Sequence, residues 1–284
     1  MITKSLLPSW LRIFLLGLSI FSFLPQLQLL WKSKNSSGLS INYVLLNLIC
    51  ATEQFLLVLL YNNTPDAEQN MFVENPGSLG DWMNLIQITV VWILSGLTFT
   101  LSLRYPSDSS FRVKLSAALS YIVYLLVAVV PSVFVVLTSR RGEDPPTSEN
   151  EWQFALWSGV HLIFVNPVMT LLLFSAVFCQ APKLLKGVSP PRALSLPGLA
   201  IQAVVFTVLA LSWPFRFVYL DPDWNVFASW FALYTWYVSV GWTAVDCAVF
   251  ALVQVILLWL ACRNRKHWQL AEDGETEPLL ANRR

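Results

Sequence analysis

The 284 residues are 56% hydrophobic and only 12% charged, with a mean hydropathy of +0.58. A soluble domain carries about 25% charge, so this chain lacks the polar surface to cover a water-soluble fold, and a disordered chain shows the opposite bias. Eighteen basic against 17 acidic residues leave a net charge of +1, which gives nucleic-acid binding no support, and four scattered cysteines show no metal-ligand or secreted-disulfide spacing.

A membrane helix needs about 20 mostly apolar residues. Seven such runs follow one another, near 10–31, 41–61, 82–103, 113–137, 154–179, 196–220 and 237–262. The first is too long for a signal-peptide core and is followed by Lys32-Ser33-Lys34 rather than a small-residue cleavage site, so it reads as a retained helix. The stretch 226–236, also apolar and aromatic, either extends the seventh helix or lies in the interface; it is too short for an eighth span.

Charge sorts the loops. Loops one, three and five and the C-terminal tail hold 13 of the 18 basic residues, while the other side holds only Lys4, Arg12, Arg140, Arg141 and Arg216. That other side collects acids, among them Asp66, Glu68, Asp81, Glu143, Asp221 and Asp223. The positive-inside rule therefore predicts a cytosolic C-terminus and a lumenal N-terminus, as an odd number of spans requires. Asn62-Asn63-Thr64 is a glycosylation sequon in the first lumenal loop, with Pro65 and the nearby helix end against its use.

The segment 24–47 slides without gaps onto 179–202: Leu29-Leu30 meets Leu184-Leu185, Leu39-Ser40 meets Leu194-Ser195, and Asn47 meets Gln202. Each copy is a helix end, a basic loop and a new helix start. The expected fold is all-α: two parallel three-helix repeats joined by one connector helix, a 3+1+3 layout. Its boundaries are a first repeat at 1–103, connector and lumenal loop at 104–150, a second repeat at 151–262 and a cytosolic tail at 263–284.

Pro25-Gln26 at a helix end, then Trp31-Lys32-Ser33 and Gly38-Leu39-Ser40, resembles the PQ-loop repeat family, which includes cystinosin, vacuolar basic-amino-acid exporters and, more distantly, the SWEET sugar carriers. In the second copy Gln180-Ala181 stands where Pro-Gln is expected, with the proline displaced to Pro182, so a symmetric pair of hinges does not follow. Proline opens the helical hydrogen-bond ladder, and Pro25 is either a static kink or a moving part. The freed carbonyls and the Gln26 amide need partners inside the protein or in a wet cavity.

Two carboxyls remain within the spans, Asp246 and Glu53. A charge at mid-bilayer costs roughly 2.5–3.5 kcal/mol on insertion scales, so each is a candidate proton-coupling group. A desolvated carboxyl takes a proton more readily than one in water. The resemblance implies a proton-handling aspartate on the last helix, which falls on Asp246; the alternative is a permanently protonated structural donor. Glu53 either lines a cavity or pairs with Arg12 or His161. Asn47 and Gln202 are repeat mates whose amides suit a zwitterion or a sugar hydroxyl, or else bind helix to helix. Where cystinosin-like proteins carry an aspartate, Gln202 cannot titrate, which places any coupling on Asp246.

The tail ends in Glu275-Thr276-Glu277-Pro278-Leu279-Leu280, which resembles an acidic dileucine signal read by clathrin adaptors. No nucleophile motif, metal-ligand cluster or phosphate-binding glycine loop occurs, so neither an enzyme nor a cofactor is expected. The partners expected are a small-molecule substrate, protons and the lipid bilayer. The expected function is proton-coupled amino-acid export across the vacuolar or lysosomal membrane. The alternatives are a non-transporting receptor or membrane scaffold, or a sugar facilitator.

Overall fold

The computed structural model describes residues 6–63, 72, 78–140, 148–185, 193–217 and 229–281, with side chains described as far as Asn264 except those of 138–140, 148–151 and 154. Within them the chain is helical throughout, without a strand. Seven helices are long and apolar enough to cross a membrane: α1 (Ser9–Ser33), α2 (Ile41–Tyr61), α3 (Leu79–Arg104), α4 (Phe111–Leu137), α5 (Ala155–Leu185), α6 (Leu196–Phe215) and α7 (Trp230–Asn264). The aromatic stretch before Tyr237 therefore extends the seventh helix, from Trp230, and the helical backbone runs on past the apolar span to Ala281.

Serine starts most of these helices. Ser40, Ser78, Ser110, Ser195 and Ser229 each accept a first-turn N–H, and Ser78 with Asp81 completes a reciprocal capping box. Three helices contain a single π-helical turn, at Leu125–Val129 in α4, His161–Val165 in α5 and Tyr237–Gly241 in α7. The first two lie just before Pro131 and Pro167, which lack the N–H that would continue the normal ladder. The third ends at Gly241, where a Cβ would run into the Trp236 ring.

Helix α3 packs against both α1 and α2, and α7 packs in the same way against α5 and α6. The two groups meet through α2 against α5 and α1 against α6. Helix α4 lies outside, touching α2 and the start of α5. Over the apolar window 67% of α2 is buried but only 17% of α4, which makes α2 central and α4 peripheral.

The polarity suits lipid rather than water. Trp10, Leu126, Leu171, Phe178 and Leu211 point outward, while Gln26, Glu53, Asn84, Gln87, Asn166, Gln180, Asp246 and Gln254 are buried inside. The α1–α2, α3–α4 and α5–α6 loops meet at one end, called here the basic end. Ala193 N–H donates to Ser37 O at 3.1 Å, and Ser36 N–H to Pro106 O at 2.8 Å.

Candidate functional site

Two glutamines close the basic end reciprocally. Gln26, near the end of α1, donates from Nε2 to Ala193 O at 2.7 Å and accepts from Ser195 N–H at 2.9 Å. Gln180, near the end of α5, donates from Nε2 to Gly38 O at 2.8 Å and accepts from Ser40 N–H at 2.8 Å. Each glutamine thus holds the N-cap of the helix that the other loop leads into. Gly38 is needed in its loop, because its φ of 84° is left-handed.

These contacts shift the register of the sequence alignment. Gln180 does the work of Gln26, not of Pro25, so one residue is inserted in the second loop and Cys179 holds the proline position. The alignment from Ser40/Ser195 to Asn47/Gln202 stands. Pro182 lies on the exposed side of the last turn of α5 and takes no part in the clamp. An outer latch adds to it: Asp108 accepts from Gly38 N–H at 3.0 Å and lies 3.7 Å from Lys183. The Gly38 donation first, with help from Ser37 and Lys183, holds the Asp108 carboxyl below the usual carboxylate range. The latch is therefore ionised at neutral pH and is lost only as pH falls through that lowered value.

Above the clamp lie two adjoining cavities of about 40 and 30 Å³, room for a few waters and well below the size of a small-molecule site. Gln26, Asn47, Ser95, Thr98 and Gln202 are the polar lining of the first; Asn47, Gln54, Ser95 and Asp246 are that of the second. Phe23 and Phe250 border both. The structure thus brings together Asn47, Gln202 and Asp246, three of the four residues expected for substrate and proton. Asn47 Oδ1 is buried with no hydrogen-bond partner, an acceptor left open beside the cavity.

The Asp246 carboxyl is buried and accepts on both oxygens, from Thr170 Oγ1 at 2.5 Å and from Gln54 Nε2 at 3.1 Å. Thr170 Oγ1 lies 2.7 Å from Tyr237 OH, which accepts from Asn166 Nδ2 at 3.4 Å. A chain of polar hydrogens from α5 and α7 therefore ends on this carboxyl. The π turns place its donors: Tyr237 begins one, and Asn166 directly follows another.

Glu53 points away from both cavities. Its Oε1 lies 2.7 Å from His161 Nδ1, and its Oε2 accepts from Tyr124 OH at 2.6 Å. His161 opens the π turn of α5 and Tyr124 precedes that of α4, so this fully buried carboxyl ties α2 to α4 and α5. Of the two partners expected for it, His161 is the one found. Arg12 lies elsewhere, buried with its guanidinium against Gly80.

Asn62 caps the end of α2, and its amide nitrogen, the atom a glycan would take, donates to Val58 O at 2.8 Å. The side chains of Glu275, Leu279 and Leu280 lie outside the described residues. Sequence reading missed Thr170, Tyr237 and Tyr124, whose hydroxyls look like ordinary membrane-helix residues. Gln54 was legible as the polar neighbour of Glu53, and Arg216, counted with the lumenal charges although it falls within the run 196–220, is buried.

Residues 7–65, spanning α1, its loop and α2 with Pro25-Gln26, match the family model described as PQ loop repeat. No curated protein and no solved structure matches the chain. A family match on the segment that carries one half of the clamp, together with seven apolar helices, makes this a multi-pass membrane protein with a PQ-loop repeat at residues 7–65.

Proposed function

We propose that the chain is a carrier exporting a small polar solute, an amino acid or similar zwitterion, from an acidic vacuole or lysosome in step with protons. The observation that carries this reading is Asp246, a buried carboxyl on the wall of an amide-lined cavity above a closed, hydrogen-bonded end. In this reading α1–α3 and α5–α7 are two parallel three-helix units joined by α4, and the basic end is cytosolic. The matching packing order in the two groups supports it, as do the reciprocal glutamines.

The cycle needs no cofactor. Asp246 takes a proton from the lumen while Asn47 and Gln202 hold the solute. The glutamine clamp then parts, with Pro25 the flexible point of α1, and both leave to the cytosol. Uptake and efflux in vesicles with an acidic interior, over a panel of amino acids and sugars with proton flux recorded together, test this. We expect one or more amino acids to move with protons. No flux for any solute favours the receptor or scaffold reading, and sugar flux without protons favours a facilitator.

The address in this proposal rests on the tail. Replacing Leu279 and Leu280 together by alanine is expected to move the protein from the vacuolar or lysosomal membrane to the cell surface, as seen by microscopy of a tagged chain. An unchanged location removes the dileucine reading.

A further inference from the structure

Arg216 directly follows α6 and is 1% exposed. Nη1 donates to Asn84 Oδ1 at 3.1 Å and to Gln87 Oε1 at 2.7 Å, and Nη2 donates to Ser212 Oγ at 2.9 Å. Its guanidinium carbon sits 4.3 Å from the centre of the Trp213 ring. Nε is buried without a partner. No carboxylate among the described residues pairs with it, and a second buried guanidinium, Arg12, lies near enough to act on it as a like charge. Neutral oxygens and a ring face offset only part of the cost of burying a cation, which a counter-ion ordinarily meets.

Its position is equally specific. Gln87 stands one turn of α3 from Val91, and Cys247, which lies against Trp213, is the neighbour of Asp246 in sequence. Val91, Cys247 and Asp246 all line the second cavity, and no Lys, Arg or His lines either cavity among the described residues. Arg216 therefore lies behind Trp213 and Cys247 as seen from the second cavity, toward the end opposite the glutamine clamp, with Arg12 the other buried guanidinium near it.

We infer that Arg216 is a carboxylate-binding station, which takes the acid group of a solute passing between that end and the Asp246 cavity. The inference rests on the carrier reading and adds what the solute must bear. A guanidinium fork with an open Nε matches a carboxylate in two parallel hydrogen bonds, whereas a neutral sugar or a simple amine offers it no charge. The amide oxygens of Asn84 and Gln87 hold the fork in place until a carboxylate arrives.

The test uses the full chain in lipid nanodiscs in chloride-free buffer. Its thermal midpoint is measured with acetate, with each of the twenty amino acids, with their decarboxylated amines, and with chloride. We expect acetate and one or more amino acids to raise the midpoint saturably, and the matching amines to leave it unchanged. Arg216→Gln is expected to abolish the shift, and Arg216→Lys to weaken the apparent affinity about tenfold, because the charge stays but the fork is lost. The comparison of acids with amines in the native chain decides whether a carboxylate is required, and Arg216→Lys, which keeps the charge, decides whether Arg216 holds it where Arg216→Gln does not fold.

Equal shifts from acids and amines, a response to chloride alone, or no response at all would overturn the inference. So would an Arg216→Gln chain that melts lower but still responds to acids, since that marks a helix lock. Carboxylate binding without flux in vesicles leaves this site standing and removes the carrier reading. Flux of solutes that lack a carboxylate, without carboxylate binding, does the reverse.

Discussion

Asp246→Asn is expected to reduce proton-driven efflux to background while exchange of solute across the membrane partly survives. Asparagine mimics the protonated carboxyl and cannot release a proton, so the step that returns the proton is lost, whereas exchange needs no net proton movement. The fold should persist. Thr170 keeps an acceptor in the new amide, and Gln54, which now donates to Asp246, can turn its own amide to accept instead. Residual flux in the variant should no longer respond to lumenal pH. Parallel measurement of flux and counterflow, with a thermal melt for folding, checks each part. Undiminished proton-driven efflux in a folded variant would make Asp246 structural. The coupling role would then pass to Glu53, whose His161 and Tyr124 partners already mark a second buried site.

Gln26→Ala combined with Gln180→Ala is expected to open the basic end. Each change strips two hydrogen bonds from buried backbone at the start of the opposite helix. Leaving such groups unpaired costs about 1–3 kcal/mol each, enough to shift a balanced equilibrium by tenfold or more. Water can satisfy those groups once the loops part, so the loss falls on the closed conformation. A cysteine at Leu39, which is buried on the first cavity, reports the change through its rate of labelling by a membrane-impermeant thiol reagent. The exposed Cys262 serves as an internal reference. Labelling should accelerate in the double variant and less in either single one. An unchanged rate would show that the apolar packing of Leu30, Leu184 and Leu194 holds this end shut without the glutamines.

The membrane class, the seven helices and most of their limits were legible in the sequence, because a bilayer imposes a length and a composition that any apolar run must satisfy. Asp246 and Glu53 were legible for the same reason: a carboxyl in an apolar run has no ordinary explanation. The likeness of 24–47 to 179–202 was legible, yet its gapless register misplaced Gln180 by one residue. Leucine-rich helix ends align almost equally well one step apart, and only the hydrogen bonds to Gly38 and Ser40 show which residue does the work.

What the tertiary structure decided is partnership across helices. That Glu53 takes His161 and Tyr124 while Asp246 takes Thr170 and Gln54 depends on helices far apart in the chain. It depends also on three π turns that rotate the residues after them by part of a turn. A hydropathy pattern fixes which segments enter the lipid, since each segment meets that cost alone. Buried polar groups are satisfied only by particular atoms within about 3 Å, and the order in which helices pack sets those distances. Arg216 shows the limit most plainly. The sequence shows only a basic residue near the end of the sixth apolar run, and its burial among Asn84, Gln87 and Trp213 depends on side chains of α3 that reach the end of α6.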